Sequence, residues 1–160
     1  ELMRWTGEGA ALADCDGYSH VTNAALLELP CDVLVLAALE DQLTGENAPR
    51  ISARMVAEGA NGPTSLEADE ILGEREILVL PDILTNAGGV TVSYFEWVQD
   101  IGRFFWDRDE IRLRLEEKMA TAFDRVWELA DSRGVTLRAA ALVCGIREVS
   151  AALQARGLFP

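Results

Sequence analysis

Three short apolar runs punctuate the first half of the chain: Val33-Leu34-Val35-Leu36, Arg54-Met55-Val56-Ala57 and Ile77-Leu78-Val79-Leu80. They begin about 21 and 23 residues apart. The first and third are continuously apolar, which predicts strands buried on both faces. Helical signals lie between them. The stretch from Thr44 to Ile51 is short. The one after Thr64 is stronger, with Glu67 three residues on as a capping box and Gly73 near its end. Strand, helix, strand, helix at this spacing predicts a parallel sheet with crossover helices. Before the first run, Thr22 can cap a short helix through Leu29 that Pro30 stops. Glu1 to Trp5 read as the last turn of a helix ended by Gly7 and Gly9, and Ala10 to His20 as an irregular surface excursion.

The second half changes period. Ala87 to about Gly102 reads as helix. Asp107 can cap the next, which runs to about Ser132 with Leu115, Met119, Phe123, Val126 and Ala130 as its apolar stripe and Gly134 as its stop. A last helix runs from about Thr136 to Arg156 with Leu142, Ile146, Val149 and Leu153 on one face. The fold class expected is α/β: a partial Rossmann-like domain with parallel strands and crossover helices, followed by long C-terminal helices. The domain reading puts residues 1–133 in the nucleotide-domain part with its trailing helices and 134–160 in a separate C-terminal helix.

Bulk properties narrow the function. At 160 residues, 49% hydrophobic and 26% charged, the chain has the composition of one globular domain with a real core. A net charge of -13 argues against nucleic acid, a polyphosphate that needs a basic face, and against an anionic membrane surface. Cys15, Cys31 and Cys144 are odd in number and lack Cys-x-x-Cys spacing, so a reduced, cytoplasmic chain without a metal site is expected. No apolar run reaches the length of a membrane span. The start at Glu1, without an initiator Met or a signal pattern, reads as a truncation.

Ligands of an open parallel sheet bind beyond the carboxyl ends of its strands. The first strand is followed by Ala37-Ala38-Leu39-Glu40. The second is followed by Glu58-Gly59-Ala60-Asn61-Gly62-Pro63, and the third by a segment ending in Asn86-Ala87-Gly88-Gly89. Glycine lets a ligand approach the backbone, and asparagine offers both a donor and an acceptor. Asn86-Ala87-Gly88-Gly89 opens a helix, whose N-terminal amides and dipole suit a carboxylate or a carboxamide-bearing ring. Ser93 lies one to two turns further in.

Each of these residues also has a plainer reading. Asn61 can close a turn, Asn86 can cap a helix, Gly88 and Gly89 can serve close helix packing, and Ser93 can bond its own backbone. The aromatic group Tyr94, Phe95, Trp97, Phe104, Phe105 and Trp106 reads as core or domain-junction packing, and His20 as a surface residue. The sequence has no G-x-G-x-x-G, no P-loop and no G-x-S-x-G elbow. Its one lysine, Lys118, falls on a solvated helix face. No catalytic acid or base is therefore assigned.

The strings AALEDQLTGENAPRI, VAEGANGPTSLEADEIL and PDILTNAGGVTVSYFEWVQD closely resemble those of the hexameric bacterial glutamate dehydrogenases. The likeness runs from about Leu26 to the closing Arg156-Gly157-Leu158-Phe159-Pro160 and is weak before Asp16. The resemblance implies part of an enzyme that oxidatively deaminates L-glutamate to 2-oxoglutarate and ammonia, with a hydride passing to NAD or NADP. It implies that the catalytic residues and the pyrophosphate loop lie in parts of the enzyme outside this segment, so that the segment alone is inactive. It implies a homohexamer. By motif, Asn61, Asn86, Ala37, Ala38, Gly88 and Gly89 are expected to face the cofactor. Ser93 is expected to hydrogen-bond the glutamate side-chain carboxylate, and Val90 to line the substrate pocket. Gly45 and Leu66 depart from the choices expected there. Two alternatives stay open: a branched-chain or aromatic amino-acid dehydrogenase of the same superfamily, and a non-catalytic stand-alone module.

Overall fold

The structure, a computed structural model, describes residues 19–157. The helical turn expected at Glu1 to Trp5 and most of the Ala10 to His20 excursion lie outside them; His20 itself is exposed. Helix α1 (Asn23–Leu27) is capped by Thr22, whose hydroxyl accepts from the Ala25 N–H. Strands β1 (Val33–Leu36), β2 (Met55–Glu58) and β3 (Leu78–Leu80) form one parallel sheet in that order. Val33 and Leu36 pair with Met55 and Glu58, and Met55 with Leu78.

The parallel sheet follows the expectation, but its burial does not. Side chains alternate across a strand. One face carries Leu34, Leu36, Val56 and Val79, which pack into a core with Leu43, Ile51, Ala68 and Leu72. On the other face, β3 meets a helical cluster through Leu80. That cluster does not reach the edge strand, so Val33 and Val35 of β1 are exposed. The first strand is thus buried on one face only, and Leu78 of the third is also partly open.

The first crossover is not an α-helix. It is a loop with one 3-10 turn (Ala48–Arg50) that has Pro at its start. Pro49 has no N–H to give a helix. The Asn47 side chain ties the loop instead, accepting from the Thr44 N–H and donating to the Gln42 carbonyl. Helix α2 (Leu66–Glu74) forms the second crossover, but Ser65 caps it, not Thr64. Thr64 is held by a parallel bridge to Leu43. The third position after the cap is then Ala68, so Glu67 closes no capping box. Gly45 leaves room for the Glu67 carboxyl, which a Cβ there would meet at 2.2 Å.

A short helix α3 (Asp82–Thr85) leads into α4 (Ala87–Gly102), α5 (Arg108–Arg133) and α6 (Leu137–Arg156). Asp107 and Thr136 cap α5 and α6 through the Glu110 and Ala139 N–H groups. Gly134, at φ 60°, ends α5 in the left-handed conformation that favours glycine. On α5, Val126 and Ala130 are buried while Phe123 is partly open and stacks on Trp127. The stripe expected on α6 is not its packing face. Leu142, Ile146, Val149 and Leu153 are all exposed. Leu137, Ala140, Ala141 and Cys144, also at helical spacing, face α5 and α3, because the two alanines let the helices approach closely. The aromatic group divides as well. Phe95 is buried and Trp106 meets it edge-on at 5.6 Å, with the Arg114 guanidinium 4.2 Å from the Trp106 ring centre. Tyr94, Trp97, Phe104 and Phe105 are exposed and form no part of this core.

Candidate functional site

The sheet brings the three loops singled out in the sequence to one edge. The Gly59 and Ala60 N–H groups both donate to the Leu36 carbonyl, at 2.8 and 2.7 Å. A Cβ on Gly59 would stand 3.2 Å from the Ala37 Cβ, so glycine is what allows the ends of β1 and β2 to lie this close. Ala37 and Ala38 are exposed, with only methyl groups between solvent and backbone. Gly62 adopts φ 56°, the left-handed turn that returns the chain toward α2.

Asn61 and Asn86, 25 residues apart, meet here: the Asn86 side-chain N–H donates to Asn61 Oδ1 at 2.7 Å. Asn86 occupies the position before α4 but makes no side-chain capping bond. The capping reading therefore fails for the Asn86 side chain, which is committed to Asn61. One Asn86 N–H, the Asn61 amide N–H pair and further lone pairs remain to face a ligand.

On α4, a Cβ added at Gly89 would meet nothing within 4 Å, and one at Gly88 only an ordinary contact to Leu115 at 3.9 Å. Close packing among the described residues does not require either glycine. Val90 is 70% exposed, and Ser93 is exposed with its hydroxyl donating to the Gly89 carbonyl at 3.2 Å. Gly89, Val90, Ser93 and Trp97 recur at three- and four-residue spacing and so share one side of the helix. Asn86 precedes them in the same phase.

A nicotinamide dinucleotide is the group expected at these residues from the sequence. The narrow Gly59–Ala37 approach, the paired carboxamides and the open glycines at the start of α4 supply close backbone access and neutral hydrogen-bonding partners. Hydrogen-bond donors and acceptors of this kind are compatible with a ribose and a carboxamide ring.

Beneath these loops lies an ion network that the sequence reading missed. Arg138, in the first turn of α6, donates to both carboxylate oxygens of Glu58 at 2.7 and 3.0 Å. It also donates to both oxygens of Asp69 at 3.0 Å. Asp82 Oδ1 lies 3.7 Å from the same guanidinium. Glu58 is fully buried and closes β2, not the loop after it. Burial acts to lower the Arg138 pKa, but the hydrogen bonds and charges of Glu58 and Asp69 outweigh it and hold the pKa above the ordinary arginine value. Glu58 Oε2 accepts from the Asp82 N–H, and Asp82 Oδ2 accepts from the Gly62 N–H, both at 2.8 Å. The available signals were a carboxylate ending an apolar strand and an arginine between Leu137 and Ala140. Neither reveals its partner, because the pair is 80 residues apart.

Comparison with known proteins decides the family. The family described as Glutamate/Leucine/Phenylalanine/Valine dehydrogenase matches residues 1–157. The chain belongs to this family. It is 51% identical to a glutamate dehydrogenase of Thermotoga maritima over 160 residues, all of this chain and 38% of that protein. It is 50% identical to the cryptic catabolic NAD-specific glutamate dehydrogenase of Bacillus subtilis over 86% of this chain and 32% of the relative. The crystal structure of the hetero-hexameric glutamate dehydrogenase from Thermus thermophilus, in its Leu-bound form, superposes with a TM-score of 0.88 at 34% identity. That match covers 99% of this chain and 37% of the Thermus chain. The chain thus spans roughly a third of the length of these dehydrogenases, and the partial Rossmann-like α/β fold is that of the family. Among the described residues no helix is long and apolar enough to cross a membrane.

Proposed function

We propose that this chain is the nicotinamide-side half of the cofactor domain of a glutamate dehydrogenase, which oxidatively deaminates L-glutamate to 2-oxoglutarate and ammonia. A bound NAD or NADP accepts the hydride. The observation that carries the reading is the Asn61–Asn86 pair at the carboxyl edge of the sheet, in phase with the open Ser93 side of α4. The two asparagines, Ala37, Ala38, Gly88 and Gly89 hold the nicotinamide ribose and ring. The Ser93 hydroxyl turns from the Gly89 carbonyl to donate to the glutamate side-chain carboxylate, and Val90 packs on the substrate's methylenes. Lys118 sits on an exposed helix face, so no proton step is assigned to this chain; those groups lie in the remainder of the enzyme. The intact enzyme works as a cytoplasmic homohexamer.

A hydrogen bond to a carboxylate separates glutamate from leucine or phenylalanine, and the loss of one from a closed site costs about tenfold or more in affinity. In the intact enzyme, Ser93→Ala is expected to raise the glutamate KM by about that factor and to leave the dinucleotide KM nearly unchanged. An unmoved glutamate KM removes Ser93 from the site. A preference for leucine over glutamate in a substrate panel replaces the glutamate reading with that of another member of the family.

A further inference from the structure

The loops that bear Asn61 and Asn86 are tied to a helix that contributes nothing to the crevice itself. The tie is continuous. Arg138 of α6 grips Glu58, Glu58 accepts from the Asp82 N–H, Asp82 accepts from the Gly62 N–H, and Gly62 follows Asn61. The other end of α3, begun by Asp82, delivers Asn86, whose backbone N–H donates to the Asp82 carbonyl at 3.0 Å. Both asparagines are therefore referenced to one residue, Asp82, the Asn61–Gly62 loop through its carboxylate and Asn86 through its backbone carbonyl, and Asp82 is referenced to Arg138 through Glu58.

We infer that Arg138 is a positioning residue for the dinucleotide: through Glu58 and Asp82 it fixes the Asn61–Gly62 loop relative to Asn86. The inference rests on the reading of this crevice as the cofactor site.

Three features argue for it. The guanidinium is satisfied by two carboxylates in a fork arrangement that a lysine cannot reproduce. Glu58 is wholly buried, so its side chain has few alternative positions and passes on the placement of its partner. Gly62, at positive φ, has little intrinsic preference for that conformation over others, and the bond to Asp82 is the side-chain contact that holds its N–H. An asparagine pair needs such support, because a carboxamide displaced by about an ångström loses its hydrogen bond to a ligand.

The test uses the intact enzyme with Arg138→Lys, Arg138→Met and Asp82→Ala. Asp82→Ala leaves the Arg138 bonds to Glu58 and Asp69 in place and cuts the link to Gly62, together with the Ile83 N–H bond and the 3.7 Å approach to Arg138 that Asp82 Oδ1 makes. Two quantities are read: the dissociation constant of NAD(H) or NADP(H) by ligand fluorescence, and amide hydrogen exchange in segments 59–63 and 82–87 without nucleotide. Expected are about a tenfold weaker dinucleotide binding in Asp82→Ala and Arg138→Met, with glutamate KM within about twofold of the parent, and a partial return of affinity in Arg138→Lys relative to Arg138→Met. Exchange at 59–63 should rise in all three. Should Arg138→Met fail to fold, Asp82→Ala and Arg138→Lys carry the test. A lowered Tm with unchanged dissociation constant and unchanged exchange at 59–63 overturns the positioning role and leaves Arg138 as a stabilising residue only. A parent enzyme that binds neither nucleotide overturns the cofactor reading itself. The nucleotide-free exchange then still reports whether Arg138 controls the loop, which keeps the two failures apart.

Discussion

The two halves of the molecule are held together in different ways. The sheet half closes on residues with no exposed surface: Leu43, Ile51, Val56 and Leu72 are all fully buried. The helical half closes on a smaller cluster of Leu84, Val126, Ala130, Leu137, Ala140 and Ala141. It leaves whole apolar stripes uncovered, including Ile146 at 67% and Leu153 at 63% exposure on α6. A dense core fixes positions to fractions of an ångström. A narrow helical contact resists sliding less well. The Arg138 network joins the two, so the looser half is pinned at the point where it passes under the site. Apolar packing joins the halves through Leu80, and at the sheet edge charge and hydrogen bonds from Arg138 add to it.

Breaking the dense half should cost most. Leu72→Ala removes a fully buried side chain, and urea unfolding of the 160-residue chain should show a loss of about 2–5 kcal/mol. A loss under about 1 kcal/mol, the level of a partly exposed site, would show that the sheet half relaxes as readily as the helical half. A gain is expected from one defect within the same region. Among the described residues the Thr64 hydroxyl is buried with no hydrogen-bond partner, so Thr64→Val should stabilise by about 1 kcal/mol. A destabilised variant would mean that the hydroxyl is satisfied in solution. The smallest thermodynamic effect belongs to the open half. Ile146→Ser should change stability by less than about 0.5 kcal/mol while reducing self-association by sedimentation, since it interrupts an exposed apolar stripe. A large stability loss there would show that the stripe is packed after all.

Local chemistry made much of this architecture legible. Thr22 and Asp107 cap the helices they were expected to cap, Gly134 ends α5, and α4 runs over the predicted residues. Parallel pairing followed from spacing alone. What failed depends on distant partners. An apolar run such as Val33–Leu36 looks the same whether one face or both are covered, and only the reach of the helical cluster decides it. On α6 two apolar stripes compete, and the one with small residues wins because it allows close approach. In the site, the resemblance implied that Asn61 and Asn86 each face the cofactor; their direct hydrogen bond to one another was not foreseen. The charge network beneath them was illegible because each of its bonds links elements far apart in the chain.

The separation of Glu58 from Arg138 also orders events in time. A polypeptide leaves the ribosome N-terminus first. The segment that ends β2 emerges with its carboxylate destined for a site without water, and its counter-ion is not made until 80 residues later. An unpaired charge resists burial. The sheet edge is therefore expected to lock only once α6 arrives. A nascent chain released before that point keeps an open edge at the place where the finished protein is tightest, and is exposed there to proteases and chaperones.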